Sequence, residues 1–205
     1  ILNSPDNTSL LEYSNPFGTG RQIKAARKWL HHFGIDAPKE NILLSAGAQN
    51  ALSVVLISLF KAGDKIAVDA FTYTNFKGLA NFLHIQLISI ETDEYGMSPN
   101  FLLQACRNTE IKGLYLMPTC SNPTSIFIPA TRRQEIADIA RRFSLLLIED
   151  DIYSFLAPNG VKSFYSILPD QTVHICSISK SLCAGLRVAF LAFAAKYREA
   201  LVAGM

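Results

Sequence analysis

The chain has 205 residues and a formal net charge of +2 at pH 7, and 49% of its residues are hydrophobic. Only 18% are charged, against roughly 25% in a typical soluble domain, which excludes a disordered chain with low hydrophobicity and high net charge. The small charge gives no field that would favour nucleic acid, an anionic membrane or an acidic partner.

The basic and cysteine residues point to no site of their own. The pairs Arg132-Arg133 and Arg141-Arg142 are interpreted as a solvated helix face rather than a nucleic-acid site. No apolar run approaches the roughly 20 residues of a membrane span. The cysteines form no CxxC pair and lie far from the histidines, so the sequence predicts no metal site and a reducing, cytoplasmic location. They are Cys106, Cys120, Cys176 and Cys183.

Short apolar runs alternate with helix-length segments along the chain. Seven runs are typical of strands buried on both faces of a parallel sheet, at 42–44, 66–68, 87–90, 113–116, 145–148, 173–176 and 188–193. Six segments are predicted helices, at 21–33, 49–60, 74–83, 98–107, 131–143 and 196–202. Thr131 is the predicted N-cap of the fifth helix, with Gln134 as its capping-box partner. The alternation predicts an α/β fold with three α/β/α layers and a seven-stranded, mainly parallel sheet.

Polar residues directly follow five of the predicted strands. In layered α/β folds, ligands bind beyond the carboxyl ends of the strands. We therefore expect one rim of the sheet to carry the functional site. The segments that would converge there are 45–49, 69–73, 118–124, 149–153 and 177–180.

The first of these segments is a turn of small residues that leads into an apolar helix. Free N–H groups and the positive dipole end at a helix start favour an anion such as phosphate. Gly47, Ala48 and Gln49 are the candidate contacts, and an ordinary strand-to-helix turn is the alternative. The turn is not a P-loop, because the chain contains no GxxxxGK[ST] motif.

The segment after the sixth strand carries a lysine between hydroxyl groups. Lys180 follows a buried strand closely, so we expect it to be desolvated, which frees an amine for attack on a carbonyl. Ser177, Ser179 and the nearby Arg187 suit a phosphate group. The alternative is an ordinary solvated loop lysine.

Asp150 ends the apolar run of the fifth strand. A partly buried carboxylate there requires a cationic or donor partner, such as a pyridinium nitrogen. Strand alternation directs Glu149 and Asp151 to the opposite side, so they are not expected to share its role. A metal site for these paired acids is the weaker alternative, because no histidine is near in the sequence.

Three further residues would complete a site for a planar ring. Asn122 and Tyr153 can donate hydrogen bonds to a phenolate-like oxygen, and Tyr73 offers a face for stacking. The alternatives are a common Asn-Pro turn and simple packing of the two tyrosines. Taken together, an imine-forming lysine, a carboxylate, a phosphate cup, an amide and two phenols fit pyridoxal 5′-phosphate.

The order and spacing of these residues resemble the class I/II aminotransferases of fold type I, which are pyridoxal-phosphate proteins. The resemblance implies that Lys180 binds the cofactor's aldehyde carbon as an imine and that Asp150 pairs with the pyridine nitrogen. The matching motifs are Ser177-x-Ser179-Lys180-x4-Gly185-Leu186-Arg187, Asn122-Pro123-Thr124 and Asp150-x-x-Tyr153.

The resemblance also implies roles for the remaining residues. Tyr73 would stack on the ring, and Asn122 and Tyr153 would bond its hydroxyl oxygen. A homodimer is implied, in which Tyr13 contacts the phosphate bound to the partner subunit. The phosphate would be held by Gly47, Ala48, Gln49, Ser177 and Arg187, with Ser179 as a further contributor.

A finer resemblance is to the aminotransferase-like domain of MocR-type regulators in the GntR group. It rests on the segments 47–52, 113–124 and 148–156. It implies a sensor of an amino acid or amine that binds DNA only through a helix-turn-helix domain absent from this chain. The alternatives are a fragment of a catalytic amino acid aminotransferase and a binding module without the cofactor.

The chain starts with Ile1 rather than Met, so we expect a piece of a longer protein. Residues 1–34 would form an N-terminal segment and first helix near the dimer interface. Residues 35–195 would form the cofactor-binding large domain, and residues 196–205 would begin the helix that leads to an absent small domain.

Overall fold

A seven-stranded sheet runs through the centre of the computed structural model, which describes residues 17–158 and 160–205. Its spatial order is β1-β9-β8-β7-β6-β2-β3, and a separate ribbon pairs β4 with β5. The strands are β1 (Ile42–Ser45), β2 (Lys65–Asp69), β3 (Gln86–Ile90), β4 (Thr92–Asp93), β5 (Gly96–Met97), β6 (Gly113–Leu116), β7 (Leu146–Asp150), β8 (Thr172–Ser177) and β9 (Ala189–Phe193).

Strands β2, β3, β6, β7 and β8 pair in parallel, and β9 is antiparallel to both of its neighbours, β1 and β8. The predicted seven-stranded, mainly parallel sheet is therefore confirmed. Because the parallel strands point the same way, the residues at their carboxyl ends share one edge of the sheet. Asp69, Asp150 and Ser177 are the last residues of β2, β7 and β8.

Helices cover both faces of the sheet, which confirms the three-layer prediction. One face packs against α2, α3 and α7, and the other against α1, α4, α5 and α6. None of the helices in the described ranges combines the length and apolarity needed to cross a membrane. The helices are α1 (Gly20–His32), α2 (Ala48–Leu59), α3 (Thr74–Phe82), α4 (Pro99–Asn108), α5 (Ala130–Arg142), α6 (Phe164–Ile167) and α7 (Arg198–Ala203).

The start of α5 differs from the prediction. The expected cap at Thr131 is wrong, because the helix begins at Ala130 and Pro129 is its N-cap. The carbonyl of Pro129 accepts the first helical hydrogen bond, from the Arg133 N–H at 2.9 Å. Proline already holds the backbone near a conformation compatible with a helix start. A complete capping box occurs instead at α1, between Thr19 and Gln22.

Candidate cofactor site

A pocket of about 90 Å³ opens at the carboxyl edge of the sheet. Seven of the residues predicted from the sequence line it, together with three apolar residues that the sequence reasoning missed. The predicted ones are Ala48, Gln49, Tyr73, Asn122, Asp150, Tyr153 and Lys180, and the added ones are Leu52, Met117 and Ile152. The expected convergence of the strand ends on one rim is thus realised for these residues.

Asp150 lies at the floor of the site, with only 2% of its surface exposed. Its Oδ2 accepts a hydrogen bond from the Tyr115 hydroxyl at 2.8 Å, whereas its Oδ1 is buried without a partner within the described residues. Burial raises the pKa of Asp150 to about 7, although the Tyr115 hydrogen bond opposes this shift. A buried acceptor without a donor is costly. Asp150 is therefore suited to a cationic N–H group supplied by a ligand.

Tyr115 is a site residue that the sequence reasoning missed. It lies on β6, fully buried, and its ring stacks on Phe76 at 3.7 Å between centroids with 8° between planes. The sequence offered one signal for it: a tyrosine in an otherwise aliphatic strand that is predicted to be buried. A buried hydroxyl requires a hydrogen-bond partner, so a polar neighbour could have been expected there.

Lys180 differs from its predicted environment. The expected desolvation is wrong, because the side chain is exposed. It lies three residues beyond the end of β8, in the segment that connects β8 to β9. The lysine nevertheless lines the same pocket as Asp150, so its amine and the buried carboxylate can face one ligand.

The start of α2 and Arg187 form a cradle for an anion. Gly47 is the N-cap residue of α2, with φ +93°. A Cβ at this position would lie 2.6 Å from Nη2 of Arg187, so the guanidinium packs directly against the glycine backbone. Arg187 itself has a left-handed backbone, with φ +49°. A guanidinium beside a helix N-terminus is a suitable environment for a phosphate group.

The two serines near Lys180 have different hydrogen-bonding states. Ser177 Oγ donates to the Val188 carbonyl at 3.1 Å and accepts from the Ser179 N–H at 3.1 Å. Ser179 Oγ is buried and has no partner among the residues that the structure describes. The phosphate role of Ser177 stays a prediction, and Ser179 has the hydroxyl that is available to a ligand.

The ring-facing residues come from three separate loops. Tyr73 is the N-cap residue of α3, and its hydroxyl accepts a hydrogen bond from Asn75 Nδ2 at 3.0 Å. Asn122 precedes Pro123 through a cis peptide bond, and Tyr153 follows β7; both are half-buried. The structure thus brings these residues together at the pocket, whereas Tyr13 lies outside the described residues.

The neighbours of Asp150 face the other side of the sheet, as alternation predicted. Glu149 accepts hydrogen bonds from the backbone N–H groups of Phe164 and Tyr165, at 2.7 and 3.0 Å, and from His174 Nδ1 at 2.8 Å. Burial would raise the pKa of Glu149, but the charge of His174 and these hydrogen bonds lower it below its usual value. Glu149 is therefore satisfied within the protein.

Arg133 corrects the interpretation of the arginine pairs as a solvated face. It is only 1% exposed. Its Nε donates to the Ile128 carbonyl at 2.9 Å and its Nη2 to the Pro118 carbonyl at 3.1 Å. These two carbonyls belong to the two ends of the loop that carries Asn122. The buried guanidinium is compensated by these hydrogen bonds, which connect it to both ends of the loop.

The chain has known relatives among both regulators and enzymes. Residues 3–204 match the family described as "Aminotransferase class I and II". Over 194 residues the chain is 40% identical to the uncharacterized HTH-type transcriptional regulator YdeF of Bacillus subtilis, covering 92% of this chain and 42% of that protein. It is 31% identical over 218 residues to an aromatic amino acid aminotransferase of Dictyostelium discoideum, covering 93% and 44%. It thus spans less than half the length of these two relatives.

A solved structure shows the same fold. The chain superimposes on an archaeal alanine:glyoxylate aminotransferase with a TM-score of 0.89 and 20% identity, covering 98% of this chain and 51% of that one.

The donor set of the pocket fits pyridoxal phosphate. Three buried polar atoms of the site lack partners within the described residues, namely Asp150 Oδ1, Ser179 Oγ and Gln49 Oε1. The first suits a pyridinium N–H, the Gly47–Arg187 cradle suits a phosphate, and Lys180 supplies the amine for an aldehyde. The chain belongs to the class I and II aminotransferase family, whose cofactor is pyridoxal 5′-phosphate.

Proposed function

We propose that this chain is the cofactor-holding, effector-sensing domain of a MocR-type regulator of the GntR group. The observation that carries the proposal is a pocket lined by both Lys180 and Asp150, in a chain that is 40% identical to an HTH-type regulator over nearly its whole length. The three divisions predicted above, at 1–34, 35–195 and 196–205, are part of this proposal.

The bound cofactor would supply an electrophilic carbon and an electron-withdrawing ring for an amino acid or amine. Lys180 would hold the cofactor through its side-chain amine, next to the place where the amine of the effector would bind. Asp150 would keep the ring nitrogen protonated, because an ionised carboxylate stabilises the cation. Arg187 and the start of α2 would hold the phosphate in place.

The regulator proposal includes the assembly of the protein. It would act in the cytoplasm as a homodimer, with Tyr13 completing the phosphate site of the partner subunit. DNA would be bound only through a helix-turn-helix domain outside this chain. An amine effector would change the protein's affinity for DNA through its different affinity for the two conformations of the dimer.

A second candidate function is amino acid transamination. The similarity to the aromatic amino acid aminotransferase of Dictyostelium discoideum favours it. Lys180 would then also move a proton between the amino acid Cα and the cofactor carbon as a general base. Its exposed amine at the pocket edge is compatible with both roles.

Cofactor attachment is tested by chemical trapping in the full-length protein. After incubation with pyridoxal phosphate and reduction with borohydride, we expect mass spectrometry to locate a phosphopyridoxyl group on Lys180. The Lys180→Ala variant should carry none, and Lys196→Ala should remain fully labelled, because that lysine lies outside the pocket. Labelling that persists in Lys180→Ala would refute the assignment.

The regulator and the enzyme are separated by two readouts on the same protein. A regulator should shift the mobility of DNA from upstream of its own gene, and an amine or amino acid should alter that shift only when Lys180 is present. An aminotransferase should instead release a 2-oxo acid steadily from one amino acid of a panel. Steady turnover without DNA binding would overturn the regulator proposal.

A further inference from the structure

We propose that Tyr115 is a positioning residue for the cofactor's ring nitrogen: its hydroxyl anchors Oδ2 of Asp150 so that Oδ1 is presented to the ring N–H. This inference rests on cofactor binding as described under the proposed function. It concerns a residue that contacts the carboxylate, not the cofactor.

The first support is the asymmetry of the Asp150 carboxylate. Tyr115 and Asp150 are 0% and 2% exposed, and their hydrogen bond is 2.8 Å long. The terminal torsion of an aspartate is broad, so an unanchored carboxylate could rotate and present either oxygen or an intermediate orientation. The Tyr115 hydroxyl selects one orientation, in which the other oxygen has no partner within the described residues.

The second support is the rigidity of the donor itself. The Tyr115 ring lies flat on Phe76, with centroids 3.7 Å apart. Phe76 belongs to α3, whose N-cap residue is Tyr73, the predicted stacking residue of the pocket. Helix α3 therefore contacts the proposed ring site in two ways. Tyr73 would stack on the cofactor ring, and Phe76 supports Tyr115, which holds the carboxylate that would face the ring nitrogen.

The third support is the charge state of the pair. Burial and the adjacent Asp150 raise the pKa of the Tyr115 phenol well above its usual value, so it remains a donor. Burial raises the pKa of Asp150, and the nearby Asp151 raises it further. The Tyr115 hydrogen bond lowers it, as do the charge of His174 and a backbone hydrogen bond from Ile152. The hydroxyl therefore favours the ionised carboxylate, which is the form that holds a cationic ring nitrogen.

The experiment compares two cofactors on one variant of the full-length protein. Tyr115→Phe keeps the ring on Phe76 and removes only the hydroxyl. Its dissociation constant for pyridoxal phosphate, measured by absorbance titration, should rise about tenfold, the scale of a hydrogen bond to a charged group. For the deaza analogue, in which a CH group replaces the ring nitrogen, wild type and variant should agree within about twofold, because the interaction with Asp150 is already absent.

A matched control is Tyr165→Phe, which removes a hydroxyl from a buried tyrosine packed against α1 on the other face of the sheet. It should leave both dissociation constants unchanged. If Tyr115→Phe fails to fold, as judged by circular dichroism, Phe76→Leu replaces it. This variant keeps the hydroxyl but removes the flat contact, and it should weaken pyridoxal phosphate about threefold and the analogue not at all.

The outcomes separate the inference from the function on which it rests. Equal weakening of both cofactors would mean that Tyr115 acts through packing, and an unchanged affinity for pyridoxal phosphate would mean that it does not act on the ring nitrogen. Either result overturns the inference and leaves cofactor binding intact. A wild-type protein that binds neither compound and labels nowhere with borohydride refutes the proposed function and the inference together.

Discussion

Two adjacent acidic residues of β7 lie on opposite faces of the sheet and differ in how fully their carboxylates are hydrogen-bonded. Glu149 is fully buried and receives two backbone N–H donors and His174 Nδ1. Asp150 is equally buried and its Oδ2 accepts the Tyr115 hydroxyl, but its Oδ1 has no hydrogen-bond partner in the described part of the chain. The two pKa values differ accordingly. The pKa of Glu149 lies below its usual value, and that of Asp150 is raised by burial to about 7.

The difference distinguishes a structural carboxylate from one kept for a ligand. The protein supplies every partner that Glu149 needs, so the buried charge stabilises α6 against β7 and β8. It leaves Asp150 incompletely paired, and such a group destabilises the folded chain unless a ligand completes it. Unmet buried polar atoms are therefore informative about function when they line a pocket, as Asp150 does.

The largest expected effect is on the structural side of this comparison. Glu149→Gln should lower the free energy of unfolding by about 3–5 kcal/mol, because it removes the charge that pairs with the fully buried His174 and stabilises its protonated form. Interaction with Glu149 outweighs the lowering by burial and raises the pKa of His174 to about 10, so the loss should persist across neutral pH. Urea denaturation measures it. A loss below about 1 kcal/mol would contradict the assigned role.

The affinity for pyridoxal phosphate serves as the internal control for Glu149→Gln. Glu149 lies on the face opposite the pocket, so the dissociation constant of the folded variant should stay within about threefold of wild type. A much larger change would mean that the two faces are coupled.

A smaller effect of opposite sign is expected for Asp150→Asn without cofactor. The pKa of this carboxyl is raised from 3.8 to about 7 in the folded chain, so the folded state binds the proton more tightly and ionisation opposes folding as the pH rises between these values. The amide should therefore increase stability by on the order of 1–3 kcal/mol at about pH 7.5 and by little at about pH 4.

The same variant should weaken pyridoxal phosphate about a hundredfold, because it removes the charge that faces the ring nitrogen. Denaturation curves at the two pH values and a cofactor titration provide the measurements. If Asp150→Asn destabilises the protein at about pH 7.5, the carboxylate already has adequate partners and the contrast with Glu149 fails.

The smallest effect on stability is expected from substituting two glycines. Comparing the two variants distinguishes backbone strain from an effect on ligand binding. Gly47 and Gly34 both have positive φ, at +93° and +74°, but only a Cβ at Gly47 would meet Arg187; at Gly34 it would meet nothing within 4 Å. Each Gly→Ala change should lower stability by about 1 kcal/mol through strain. Gly47→Ala alone should also raise the dissociation constant of pyridoxal phosphate about tenfold, by displacing the guanidinium. If the two variants bind pyridoxal phosphate with equal affinity, Arg187 does not contribute to the phosphate site.

Much of the fold could be predicted from the sequence, because strands buried on both faces produce continuous apolar runs. The run predicted at 173–176 became a strand at Thr172–Ser177, and the one at 42–44 became Ile42–Ser45. Short elements were missed: α6 and the ribbon of β4 and β5 contain too few residues to show a period.

The errors at single residues have a common cause. Arg133 was expected on the surface and Lys180 in a dry environment, and the structure reverses both. Burial of a side chain depends on which loops fold over it, and that information is not contained in its own segment. The same holds for Tyr115, whose partner Asp150 lies 35 residues away in sequence.

The sequence by itself determined the alternation of strands and helices, the polar segments at the strand ends and the resemblance to the pyridoxal-phosphate family. These properties depend on local periodicity and on short motifs. The tertiary structure alone decided which acid of β7 is satisfied and which is left open, because hydrogen-bond partners come from strands and helices distant in the chain. The pairing of Glu149 with His174 and of Asp150 with Tyr115 arises only when β6, β7 and β8 align side by side.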